Sequence, residues 1–164
     1  MGGAEPGFMA YLANLATVLT GAAALLALLF AVHQTRANHA TQLEALARDH
    51  FQHFLELCIL YPDFANPSAV RLDVDGGTFD GDPDKFAQYE WFFTACENAL
   101  EAIFDTVGEQ KAWREEIRAV LGEHALYLSS TRYHEVFRNT VDRRFQRFID
   151  SWITRRGVAG PLQR

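Results

Sequence analysis

The sequence predicts an all-α protein: one N-terminal transmembrane helix followed by an antiparallel four-helix bundle. Three observations carry this. The stretch Phe8 to Val32, FMAYLANLATVLTGAAALLALLFAV, has 25 residues and no Asp, Glu, Lys, Arg or His. A bilayer core about 30 Å thick needs about 20 mostly apolar helical residues, so this stretch is long enough to span one. The rest of the chain repeats apolar residues at helical spacing, with no internal repeat or β-hairpin signal.

The N-terminal stretch departs from a signal peptide. It begins MGGAEPG, with Glu5 and no Lys or Arg, and its apolar run is longer than a secretory h-region of about 7–15 residues. A buried core helix is the other alternative, since Asn14, Thr17 and Thr20 dilute the hydrophobicity. No Lys or Arg precedes the span, whereas Arg36 and Arg48 follow it. Positive residues near a span stay on the cytoplasmic side. The expected layout is therefore a short extracytoplasmic N-terminus (1–7), a span (8–32) and a cytoplasmic helical bundle (33–156). A flexible tail (157–164), marked by Gly157, Gly160 and Pro161, ends the chain. The expected location is the inner (plasma) membrane.

One face of the span carries small side chains. Ala13, Thr17 and Gly21 recur every four residues, with Ala24 beside them. Small residues let helix backbones approach closely in lipid, and Asn14 benefits from a partner there. The expected partners are membrane lipid and other membrane subunits, or a second copy, through this helix. A plain Ala/Leu anchor is the alternative.

After the span, His33 to Leu60 contains neither Gly nor Pro, and Ala40, Leu43, Ala47, Phe51, Phe54 and Cys58 recur at helical spacing. Tyr61-Pro62-Asp63 ends this segment, because the residue before proline is pushed out of the helical region. The next part, 64–82, is rich in Pro, Gly and Asp and reads as a long acidic loop. Asp82-Pro83 then opens a helix, with aspartate as cap and proline at its first position. Phe86, Tyr89, Phe93, Cys96, Leu100, Ile103 and Val107 follow a 3-4-3-4 spacing, the clearest periodic signal in the chain. Gly108 is its stop. Glu109 to Leu128 reads as a further helix, and Arg132 to Thr154 as the last.

The net charge is −6, yet residues 132–164 hold eight arginines against Glu135, Asp142 and Asp150. Nucleic acid is a poor partner for so acidic a remainder. An up-and-down bundle would put the aspartates Asp73, Asp75, Asp80 and Asp82 far from anionic headgroups, as a partner-docking loop. The same topology would return Trp152, Arg155 and Arg156 to the membrane surface, with Arg36 near the span. Arginine favours the anionic inner leaflet, and tryptophan suits the interface.

Chemistry-bearing motifs are sparse. His50 and His53 lie three apart on one helix face, and a metal site would need further ligands such as Glu97, Glu101 or His124. No Glu-x-x-His pair of the di-iron kind occurs. The run DVDGGTFDGDPD lacks the glycine and glutamate placement of a calcium loop. Glu90, Glu97 and Glu101 share one side of the aromatic helix, and read as a solvated stripe pairing with the late arginines or as a polar cleft. Cys58 and Cys96 read as reduced core thiols. No catalytic residue, cofactor or metal is expected from these patterns.

The layout as a whole resembles a group of small bacterial proteins, membrane-anchored and helical. The features are an apolar N-terminus running into His33-Gln34-Thr35-Arg36, then Tyr61-Pro62-Asp63, then Tyr89 to Phe93 with Ala99 to Glu101, and a helix containing Trp113. The resemblance implies an anchor plus a bundle and transfers no activity. The expectation is a non-enzymatic accessory, scaffold or assembly subunit of a larger membrane complex. A membrane-anchored signalling or ligand-sensing module, and a metal-dependent enzyme, are the alternatives.

Overall fold

The computed structural model describes residues 6–156 and is mostly helical. The chain divides into two compact units, Met1–Gln42 and Leu43–Arg164. The expected tail 157–164 lies outside the described residues, as do residues 1–5.

Helix α1 runs Pro6–Leu60 without interruption, as the absence of internal Pro allows. In the first unit it is long and apolar enough to cross a membrane, and among the described residues none of its apolar window is buried. Leu25, Leu26, Leu29 and Phe30 all face outward. The hydroxyls of Thr17 and Thr20 bond back to the carbonyls of Ala13 and Ala16, at 2.9 and 2.8 Å.

The second unit begins with the last part of α1 and adds α2 (Pro62–Ala65), β1 (Leu72–Asp73), β2 (Thr78–Phe79) and α3 (Pro83–Val107). It continues with α4 (Lys111–Glu123), α5 (Ala125–Leu128), a π-turn (Tyr133–Phe137), a 3-10 turn (Arg138–Thr140) and α6 (Arg143–Arg156). Helix α3 is the spine. The side chain of Asp82 accepts from the backbone N–H of Asp84 and Lys85, at 2.8 and 3.2 Å, which satisfies donors at the helix start. At its other end Gly108 donates to the Phe104 carbonyl, and an added Cβ would collide with that oxygen. All seven residues of the 3-4-3-4 series are buried. Phe145 and Phe148 of α6 pack on Phe104, with ring centroids 5.3 and 4.8 Å apart.

Three stretches differ from expectation. The acidic loop 64–82 holds a short antiparallel hairpin, pairing Leu72 with Phe79 and Asp73 with Thr78. Leu72, Val74 and Phe79 are buried, and Phe79 meets the Phe64 ring edge-on at 5.0 Å. Gly77 and Gly81 take left-handed backbone, φ +63° and +79°, which glycine adopts without a Cβ clash. The helix expected over 109–128 breaks at His124, leaving α4 and α5. The helix expected over 132–154 is likewise divided: Val141 is extended, and Asp142 accepts from the Arg144 N–H at 2.7 Å to start α6 afresh. A capping aspartate after the β-branched pair Thr140-Val141 gives the chain a better local alternative than continuing the turn.

Candidate functional site

The polar chemistry of the second unit gathers along one side of α3. Glu90 and Glu97 are seven residues apart, two turns, so they stack on one face about 10 Å apart along the axis. Glu101 follows one turn later. The expected solvated stripe is instead largely interior: Glu90 is 6 % exposed and Glu97 fully buried. The facing segment, residues 127–142, supplies a donor to each acid.

Glu90 accepts from the Tyr127 hydroxyl at 3.0 Å and from both sides of the Arg132 guanidinium, one bond at 2.7 Å and a shorter one from Nε to Oε1. A bidentate arginine–carboxylate pair fixes geometry as well as charge. Glu97 accepts from the Tyr133 hydroxyl at 2.5 Å, and its second oxygen is buried without a partner. Burial pushes the Glu97 carboxyl up to about 7; the Tyr133 bond opposes that rise and the Glu101 charge adds to it. Glu101 accepts from the backbone N–H of Asp142 at 2.5 Å. Three acids on a regular helix thus hold an irregular one in place.

His124 sits at the break between α4 and α5, 1 % exposed, with Nδ1 3.1 Å from the Tyr89 hydroxyl and Nε2 without a partner. Burial holds its imidazole down to about 4, so it is neutral at physiological pH. Phe93 lies among these groups, 5.1 Å from the His124 ring, 5.0 Å from Tyr127 and 6.0 Å from Tyr133. Edge-to-face pairs of this kind contribute about 0.5–1.5 kcal/mol beyond their buried area. Burial raises the three tyrosines Tyr89, Tyr127 and Tyr133 well above the usual phenol range. Chemically the arrangement can hold a proton at Glu97 and a compensated charge at Glu90.

The hairpin aspartates are engaged within the domain. Asp80 is gripped by Arg71 through two bonds of 2.8 Å and by Lys85 at 2.6 Å. Asp63 meets the same two cations at 3.0 and 3.3 Å. Both cations stand 5.1 Å from the centroid of the Phe79 ring. Asp73 accepts from the Gly76 N–H at 2.8 Å, and Asp82 caps α3. Asp75 is exposed and borders two surface grooves between the hairpin and residues 126–136.

The basic and aromatic set disperses. Trp152 is 7 % exposed and belongs to the core, so packing inside the domain takes the ring that an interfacial role would present outward. Arg155 bonds the Ser151 carbonyl of its own helix at 2.9 Å. Arg36 is exposed, and the Arg156 side chain lies outside the described residues. Ala13, Asn14, Thr17, Gly21 and Ala24 are all exposed, and nothing stands within 4 Å of a Cβ added at Gly21. His50 is half-buried and His53 exposed, the latter 3.7 Å from Glu56. Among the described residues no three His, Cys, Asp or Glu side chains gather as metal ligands. Cys58 and Cys96 are free thiols, both raised by burial.

Tyr127, Tyr133 and Arg132 escaped the sequence reading as site residues. Their signal was the demand of a buried phenol for a partner, set against acids seven apart on a core helix.

Among the described residues, two of the surface grooves are mainly apolar. One, of about 610 Å³, has Phe51, Leu55 and Trp113 with Glu44, Arg48 and Glu116 around it, and the Trp113 indole donates to Glu44 at 3.2 Å. The other, of about 390 Å³, is lined by Leu57, Tyr61, Trp91 and Phe92, with Trp91 76 % exposed. Compared with known proteins, the chain matches no family model, no curated relative and no solved structure.

Proposed function

We propose that the protein is a non-enzymatic accessory, scaffold or assembly subunit of a larger bacterial membrane complex. On this reading α1 anchors it by a single span in the inner (plasma) membrane, with the N-terminus outside. The second unit then works in the cytoplasm as an antiparallel helical bundle. The observation that carries the reading is the part of α1 in the first unit: a long helix whose apolar window is 0 % buried among the described residues. Lipid and neighbouring helices are the natural cover for such a surface. Thr17 satisfies its hydroxyl within the helix, which leaves Asn14 as the amide seeking a partner on the small-residue face of Ala13, Thr17, Gly21 and Ala24. Arg36 and Arg48 after the span support the sidedness. The interior polar groups bond one another rather than converge on an open cleft, which supports a binding role over a catalytic one.

Affinity purification from native membranes in mild detergent, followed by mass spectrometry, tests this. The expected result is a stoichiometric membrane partner, or a dimer, weakened by Gly21→Leu. A lone monomer with no companion overturns it.

The groove at Phe51, Leu55 and Trp113 favours a second reading, a membrane-anchored ligand-sensing module, since several hundred Å³ of apolar space with a few polar groups suits a small molecule. A compound that raises the melting temperature of the wild type and not of Trp113→Ala would support that reading over the first.

A further inference from the structure

Arg132 and Tyr133 are consecutive, and each holds an acid of α3, but the two bonds differ in kind. Glu90 meets a guanidinium, so its charge is compensated. Glu97 meets only a phenol, and its other oxygen is bare and buried. The neighbouring charges do not make up the difference. Glu101, on the same helix, is another acid. Arg132 is taken by Glu90. Arg138, on the 3-10 turn, and Asp150, on α6, both act on Tyr133, yet they are bound to each other at 2.5 Å. His134, on the π-turn, lies beside that same pair and is lowered by burial. His124 is bonded to Tyr89 and neutral. An ionised Glu97 would therefore be a dry carboxylate with one hydrogen bond and no cation, which is costly. With a proton it is neutral and fits its surroundings.

The backbone opposite Glu97 departs from the α-helix. A π-turn at Tyr133–Phe137 passes into a 3-10 turn at Arg138–Thr140 and then into extended chain at Val141. Such turns differ from the α-helix only by a slide of hydrogen-bond register, and π-turns are frequent at functional sites. His134 Nδ1 and Arg138 Nε, both within this stretch, are buried and unbonded. The segment thus combines an alternative backbone geometry with polar atoms that solvent would satisfy.

We propose that Glu97 is a proton-binding site that controls the docking of segment 133–140 on α3. With the proton bound, the segment is closed on α3. When the proton leaves, the buried charge is relieved by water, and the turns after Tyr133 open to admit it. The device converts protonation at one buried oxygen into exposure of a surface segment.

Hydrogen exchange of the full chain in detergent micelles, corrected for intrinsic rates, tests this. Between about pH 5.5 and 8.5, protection of the amides of 133–140 is expected to fall about tenfold or more, with the amides of α3 unchanged. Glu97→Gln is expected to abolish that dependence. Constant protection in the wild type, or the same fall in Glu97→Gln, overturns the proposal. Tyr133→Phe gives a second reading that does not depend on Glu97→Gln folding. It removes the one bond that favours the ionised form, so the midpoint of the fall moves to higher pH, and an unmoved midpoint counts against the proposal.

Discussion

Asp63 and Asp80 at the hairpin, and Glu90 and Glu97 on α3, are four acids of one domain under two regimes. The aspartates stand in water, and hydrogen bonds from Arg71 and Lys85 hold both below the usual carboxylate range. Glu97 stands in a dry interior with a single phenol donor, and burial moves it the other way, up to about 7. Glu90 shares that interior but has Arg132 and Tyr127. The difference teaches that the number and charge of donors per carboxylate, weighed against loss of water, decide which form is held.

Breaking the better-satisfied buried acid should have the largest effect. Glu90→Ala leaves Tyr127 and Arg132 without their acceptor, and should cost about 3 kcal/mol in denaturant unfolding, a figure reduced from the fully buried case because Arg132 is half exposed. A loss below about 1 kcal/mol would mean that solvent replaces the pair.

The second effect sharpens the comparison through pH. Glu97 is raised from 4.5 to about 7, so its contribution is fully present below about pH 4.5 and is lost as pH rises through 7. His124 is lowered from 6.5 to about 4, so its contribution is fully present above about pH 6.5 and is lost as pH falls through 4. Each change amounts to about 3 kcal/mol, and the two slopes nearly cancel in the wild type. Glu97→Gln should therefore show stability rising with pH over about 4.5–6.5, and His124→Gln should show it falling, in denaturant titrations across that range. Identical profiles for both variants would refute the assignment. The smallest effect belongs to the solvated cluster. Asp80→Ala should lower stability less than Glu90→Ala, and the loss should shrink with added salt, because exposed ion pairs are screened.

Helix α3 was legible because every signal on it agreed: Asp82 and Pro83 at the start, Gly108 at the end and the 3-4-3-4 apolar series between, all of it buried. The hairpin was not, although Leu72, Val74 and Phe79 flank a Gly-Gly turn. Two-residue strands leave too little alternation to stand out from an acidic loop, and the contacts of Arg71 and Lys85 with the Phe79 ring form only in the folded domain. The division of the last helix was hidden for a related reason. Tyr133, Val141, Phe145 and Phe148 are buried at intervals of three, four and eight residues that a single helix would also give, but the break falls where Glu101 captures a backbone N–H from another element. Local periodicity carries no record of such a long-range bond. The rail of acids was visible as a stripe, while its burial depended on which side residues 127–142 would cover.

The three indoles of the domain occupy three different media. Trp152 is in the core, Trp113 is half covered and bonded to Glu44, and Trp91 is almost wholly in water at the mouth of a groove. Fluorescence from this chain is therefore a superposition of a blue, an intermediate and a red emitter. Unfolding moves chiefly the first. Anything that seats itself on the Leu57–Tyr61–Trp91 groove moves chiefly the last, in the opposite direction. The protein thus carries an intrinsic optical label on one of its exposed apolar surfaces, readable without modification.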